Sequence, residues 1–240
     1  MEDSCTQKML VEREAICTMP EGALVLDPRT RALVHVAIAV ASGDTVALRE
    51  RLLAASRAQV SPRWVDELLL QSLLNVGYAL GLQAFGVWRE VSPSSSPGPG
   101  EIAEPLEHRT WQEWAERGAR VCREVYGRTY HKLLVNLRAL HPALEALVVV
   151  DAYGKVIGRD GLDLKRRELC TLAEIAVINT PRQLHAHLRG ALNAGATTQE
   201  VDEVLELVER DIDADQATRV RNLWADVRGR DLGNRQEGSA

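Results

Sequence analysis

Shifted by 136 residues, the chain lies over itself. Residues 26–91 align with 162–227 without a gap, and fifteen of the 66 paired positions are identical. The pairs include Leu26/Leu162, Asp27/Asp163, Arg31/Arg167, Leu33/Leu169 and Leu52/Leu188. Val65-Asp66-Glu67 falls on Val201-Asp202-Glu203, and Trp88 falls on Trp224. Leu and Ala coincide by chance in a chain this rich in them. An Asp-Glu pair and a Trp at the same offset do not, so the pattern reads as a tandem duplication. The one low-complexity run, SPSSSPGPG at 92–100, holds neither helix nor strand and reads as a linker. The expected organisation is a first unit at 1–91, the linker at 92–100, and a second unit at 101–240.

Both copies carry helical signals. Asp27-Pro28 and Ser61-Pro62 are helix starts in the first copy, and Thr180-Pro181 is one in the second. Thr197 and Glu200 have the spacing of a capping box, and Asn193-Ala194-Gly195 ends the helix before it. Leu184, Leu188, Ala191 and Leu192 form one apolar stripe, and Val201, Val204, Leu205, Val208 and Ile212 form another. No segment alternates convincingly with period two. Residues 143–156 read as helix after His141-Pro142. The fold class is therefore all-α, about four helices per copy, with further helices at roughly 107–140.

Charge and cysteine usage exclude several function classes. The net charge is −5, and neither side of the linker is basic, which argues against a nucleic-acid footprint. The apolar run at 32–41 is broken by His35 and is short for a membrane span. The N-terminus has acids and no apolar signal core. Cys5, Cys17, Cys122 and Cys170 form no CxxC pair and read as free thiols of a cytoplasmic protein. Zinc-site spacing is absent, so no metal is expected.

One constellation in the second copy could carry chemistry. On a wheel of about 100° per residue, Glu168 falls among Leu164, Leu169, Leu172 and Ile175, whereas Glu174 falls opposite, toward solvent. A carboxylate held among apolar side chains is desolvated and is an acid/base candidate as much as a structural group. On the next helix His187 shares a face with Thr180 and Gln183, beside the apolar stripe. His185 points elsewhere, so the HxH pair cannot chelate one ion. The first copy has Ala32 and Arg51 where the second has Glu168 and His187. His35 stands alone on an apolar run and reads as a hydrogen-bonded core histidine.

REVYG at 123–127, HPALEALVVVDAYGKV at 141–156, GLDLKRREL at 161–169 and LHAHLRGALNAGATTQEV at 184–201 together resemble the carboxymuconolactone decarboxylase family, which includes the alkyl hydroperoxidase D branch. LDPRTRAL at 26–33 and NVGYALGLQAFGVWREV at 75–91 resemble the same unit more weakly. The resemblance implies two tandem alkyl hydroperoxidase D-like helical units. The hydroperoxidase branch sets a Glu, a CxxC pair and a His at a spacing that falls here on Glu168, Thr180, Gln183 and His187. Both thiols are missing, and peroxide reduction needs them. The decarboxylase branch uses no such pair. The implied activity is cofactor-free loss of carbon dioxide from a carboxylated unsaturated lactone. Glu168 and His187 are its acid/base residues, and Arg167 and Arg189 are candidates to hold a substrate carboxylate. The alternative is a non-catalytic assembly or ligand-binding member, since the first copy lacks the pair. The acidic segment at 209–220 departs from the family's apolar closing helix, so a complete pocket could combine both copies or neighbouring subunits. The expected partners are a small-molecule substrate and further copies of the chain, most simply a trimer of two-unit chains, with no nucleic acid and no membrane.

Overall fold

A computed structural model describes residues 25–92 and 109–237, with side chains to residue 230. All regular elements among these residues are helical, so the protein is all-α. In chain order they are α1 (Pro28–Ser42), α2 (Thr45–Arg57), α3 (Pro62–Val91), α4 (Trp111–Tyr126) and α5 (Tyr130–Leu140). A short α6 (Leu144–Ala146) continues as a π-helix (Leu147–Ile157). Then come α7 (Leu164–Val177), α8 (Pro181–Asn193), α9 (Thr198–Val208) and α10 (Ala214–Glu237).

Local chemistry accounts for the helix starts. Asp27 accepts from the Arg29 and Thr30 amides, Asp44 from Val46 and Ala47, and Asp163 from Arg166. Thr110 with Glu113 and Thr197 with Glu200 each form a full capping box. Ser61 and Thr180 make no capping bond. There the proline at the first helical position supplies the fixed φ and lacks the orphan N–H, so the helix starts without a side-chain acceptor.

The starts of α1, α2 and α3 precede those of α7, α8 and α9 by 136 residues in each case. The Trp88 indole donates to Asp66 at 2.9 Å, and the Trp224 indole donates to Asp202 at 2.7 Å. The long α3 is kinked at Gly77, whose φ of 77° and ψ of 171° lie where only glycine is comfortable. The second half breaks between α9 and α10 at the corresponding place.

Helices α1 and α7 pack against each other at the centre, and one apolar core runs across both halves. Every residue from Arg167 to Ala176 on α7 is buried. Buried and half-buried ion pairs cross between the halves. Arg167 on α7 donates to Glu67 Oε2 on α3 at 2.8 Å, and Arg31 on α1 pairs with Glu203 on α9. Each pair maps onto the other by the 136-residue shift. Arg167 is fully buried, and its remaining donors meet the carbonyls of Leu162 and Arg159 and the Gln71 amide oxygen. Glu203 also accepts from the Val25 and Leu26 amides.

A smaller apolar cluster joins α4 to the π-helix through Val121, Cys122, Val125, Tyr153 and Ile157. Gly118 makes this approach possible, because a Cβ there would sit on the Val149 carbonyl. By length and mean hydropathy α3 could also cross a membrane, a reading the broken run at 32–41 did not suggest. In the fold, its buried Glu67, Gln71 and Ser72 bond to α7 and tie it to the core.

Removing one partner of a buried pair strands the other charge. Glu67→Ala is expected to cost about 3–5 kcal/mol in urea unfolding. Arg31→Ala, which removes the more exposed arginine, is expected to cost clearly less.

Candidate functional site

The acid/base candidates of the second half come together. His187 Nδ1 on α8 lies 2.8 Å from Glu168 Oε2 on α7. Glu168 is 1% exposed, and this contact gives its buried carboxylate a hydrogen-bond partner. The approach requires Gly190, one turn after His187 on α8. A methyl there would collide with Glu168 Oε2 and with Val125 of α4. The sequence HLRGAL thus delivers a histidine and, three residues on, the gap that lets its helix reach the carboxylate.

His187 lines a half-open cavity of ≈ 520 Å³. Its walls come from α4, α5, the π-helix and α8, all in the second half. Val125, Leu133, Leu137 and Val148 give an apolar side. Lys132, Arg182 and Arg189 add three cationic side chains to the lining. Gln183 and His185 also line the cavity.

Three placements correct the sequence reading. Arg167 does not line the cavity; it is the buried partner of Glu67. Glu174 does not face solvent. It is fully buried and receives hydrogen bonds from Ser72 Oγ at 2.5 Å and Asn75 Nδ2 at 2.6 Å on α3. The wheel allowed α7 one apolar face, but the other half of the chain covers its back. Thr180 does not join His187. It borders a separate cavity at α10, with its hydroxyl buried and unpartnered.

Other groups at the site carry a weaker sequence signal. The Tyr126 ring meets the His187 ring edge-on at 6.4 Å and the Tyr153 ring at 6.1 Å. Burial pushes the Tyr126 hydroxyl well up. Both tyrosines precede a glycine (Tyr126-Gly127 and Tyr153-Gly154), the one cue that could have found them. Burial, helped by the nearby Glu168 charge, pushes the Cys122 thiol up to about 12. Cys170 is also held well above the ordinary thiol range by burial. Neither is the low-pKa thiolate that attacks a peroxide. Cys5 and Cys17 lie outside the described residues. Among the described residues, no three His, Cys, Asp or Glu side chains cluster closely enough to hold a metal.

Residues 145–226 match the carboxymuconolactone decarboxylase family. A 4-carboxymuconolactone decarboxylase of Acinetobacter baylyi is 30% identical over 91 residues, which span 38% of this chain and 68% of that protein. A nitrosuccinic acid decarboxylase of Metarhizium robertsii is 34% identical over 91 residues, 38% of this chain and 64% of that protein.

Burial raises the Glu174 carboxyl to about 7, against the opposing hydrogen bonds of Ser72 and Asn75 and the nearby His187. A carboxyl raised in the folded state keeps a proton that the unfolded chain has released. Stability therefore falls as pH rises between the ordinary carboxylate range and about 7. Glu174→Gln is expected to flatten that fall. Urea unfolding at pH 5 and pH 8 should show the wild type losing on the order of 2–3 kcal/mol more than the variant between the two.

Proposed function

The chain belongs to the carboxymuconolactone decarboxylase family, and on that premise we propose that its second half decarboxylates a small organic acid, with Glu168 and His187 as the acid/base pair. The observation that carries this reading is the 2.8 Å Glu168–His187 contact at a ≈ 520 Å³ cavity whose lining also includes Lys132, Arg182 and Arg189. A cavity of that size suits a small ligand. The acids named for the two relatives each carry an electron-withdrawing group, a lactone or a nitro group, beside the carboxylates. A carboxylated unsaturated lactone is the substrate class proposed here.

Arg189 holds a substrate carboxylate in this reading, and Arg182 or Lys132 takes a second. The carbon–carbon bond to the departing carbon dioxide breaks, and its electron pair moves into the lactone carbonyl. His187, protonated on both nitrogens, delivers the Nε2 proton to the substrate carbon and then regains one from water. Glu168 accepts the Nδ1 hydrogen. It thereby fixes the ring with Nε2 toward the cavity and stabilises the charged imidazole. The electron sink lies in the substrate itself, so the step needs no external electron acceptor.

The 136-residue correspondence of helix starts, Trp–Asp bonds and Arg–Glu pairs supports reading the halves as copies of one unit. We also propose that chains assemble. Leu74, Tyr78 and Leu82 stand exposed on α3, apolar side chains that a contact between chains would cover. Light scattering is expected to return three times the 26.5 kDa chain mass, and a monomer at micromolar concentration would refute assembly.

Carbon dioxide release is to be measured with 4-carboxymuconolactone and with nitrosuccinate. Glu168→Gln and His187→Ala are each expected to lower turnover about a hundredfold or more. The double variant should lose little beyond the worse single one, because groups acting as a unit are not additive. Arg189→Ala should raise KM more than it lowers kcat. Absence of turnover in the wild type on both acids, or additive losses from the pair, would reject this reading.

A further inference from the structure

Counting 136 residues back from Glu168 and His187 leads to Ala32 on α1 and Arg51 on α2. Both line a cavity of the first half, ≈ 200 Å³, that also includes Arg31, His35 and Ala54. The acid of the second half is replaced here by a methyl group, and the histidine by a guanidinium. The space vacated by the carboxylate is therefore faced by positive charge.

The charges around this cavity are unbalanced. Arg31, on the same helix as His35, is answered by Glu203 of α9. Arg51 of α2 and Arg210, just past α9, have no ion-pair partner among the described residues. His35 feels all three arginines. Burial, with Arg51, Arg31 and Arg210 adding to it, pulls its pKa down to about 4. At neutral pH the ring is therefore uncharged. Its Nδ1 is buried and has no hydrogen-bond partner. The tautomer with the lone pair at Nδ1 is the less costly to bury, which leaves the hydrogen on Nε2 as a donor. The structural result differs from the hydrogen-bonded core histidine that the apolar run suggested.

We propose that this first-half cavity is a binding site for a small organic carboxylate, received by the Arg51 guanidinium and His35 and held without being converted. A guanidinium matches a carboxylate through two parallel hydrogen bonds. Ala32 and Ala54 offer an apolar wall to a short carbon skeleton, which inorganic phosphate could not use. At about 30 Å³ per water in the liquid, the space suits a molecule the size of succinate. The cavity has no carboxylate–imidazole pair, so it has nothing to move a proton with. The site is independent of turnover in the second half.

Calorimetric titration of the full chain with succinate, with inorganic phosphate as the comparison, tests the proposal. The second-half site is first disabled by His187→Ala with Arg189→Gln. That protein is expected to keep one saturable succinate site per chain and to bind phosphate at least tenfold more weakly. Adding Arg51→Gln is expected to weaken succinate at least tenfold. Arg51 is partly exposed and makes no ion pair, so the fold should tolerate the change, and far-UV circular dichroism checks this. Ala32→Glu, which returns a carboxylate to the cavity, should abolish succinate binding while keeping Arg51. In the wild type, saturating succinate should raise the NMR titration midpoint of the His35 ring above about 4, and Arg51→Gln should remove that rise. Failure of the disabled protein to bind succinate, binding indifferent to Arg51→Gln or Ala32→Glu, or equal affinity for phosphate would each overturn the assignment.

Discussion

Arg31 and Arg167 each reach from a central helix of one half to a glutamate of the other, and the rest of the structure is arranged around that exchange. A guanidinium with no exposed surface is tolerable only when its charge and its donors are answered. Arg167 meets Glu67, two carbonyls and Gln71. The exchange holds α7 against α1 and α3, buries α7 on all sides, and so fixes the orientation of every side chain it carries. Glu168 faces α8, where His187 stands between it and the cavity lining. Glu174, six residues on, faces α3. The same rigid helix supplies one carboxylate to a histidine and another to a serine and an asparagine.

The two cavities show how little must change to alter what a position can do. One has a buried carboxylate touching an imidazole, with Lys132, Arg182 and Arg189 in the same lining. The other has a methyl group, a guanidinium and a neutral imidazole in a smaller space. The helices around them start in matching register, so the difference lies in side-chain chemistry rather than in backbone course. Gly190 is part of that difference, since its counterpart Ala54 carries the methyl that Glu168 excludes.

Much of the architecture was legible because its causes are local. Asp27, Asp163 and the Thr197–Glu200 box act within four residues, and the helix starts follow from them. Glu168 was legible because it interrupts an apolar face on its own helix, and His187 because it edges the stripe of the next. Glu174 and Arg167 were not, because their burial comes from the opposite half of the chain, about a hundred residues away. A signal for Arg167 did exist. Arg31/Arg167 and Glu67/Glu203 are charged residues retained at the same offset, as cross-paired structural charges would be. The π-helical course of Leu147–Ile157 has no local cause in the sequence, and the tyrosines it helps bring to His187 were visible only as Tyr-Gly steps.

The buried carboxylate of Glu174 illustrates a freedom that two identical subunits would lack. Across a twofold axis every residue faces its surroundings twice, so a single acid in the interface becomes two. In one continuous chain the counterpart positions can differ. The places reached from Glu174 and Ser72 by the same shift hold Ile38 and Val208, both buried and both apolar. A lone proton-binding group can therefore sit in an otherwise matched contact without a mirror image to repel or to strand. Joining the halves covalently lets each side of a near-symmetric interface drift alone, one substitution at a time.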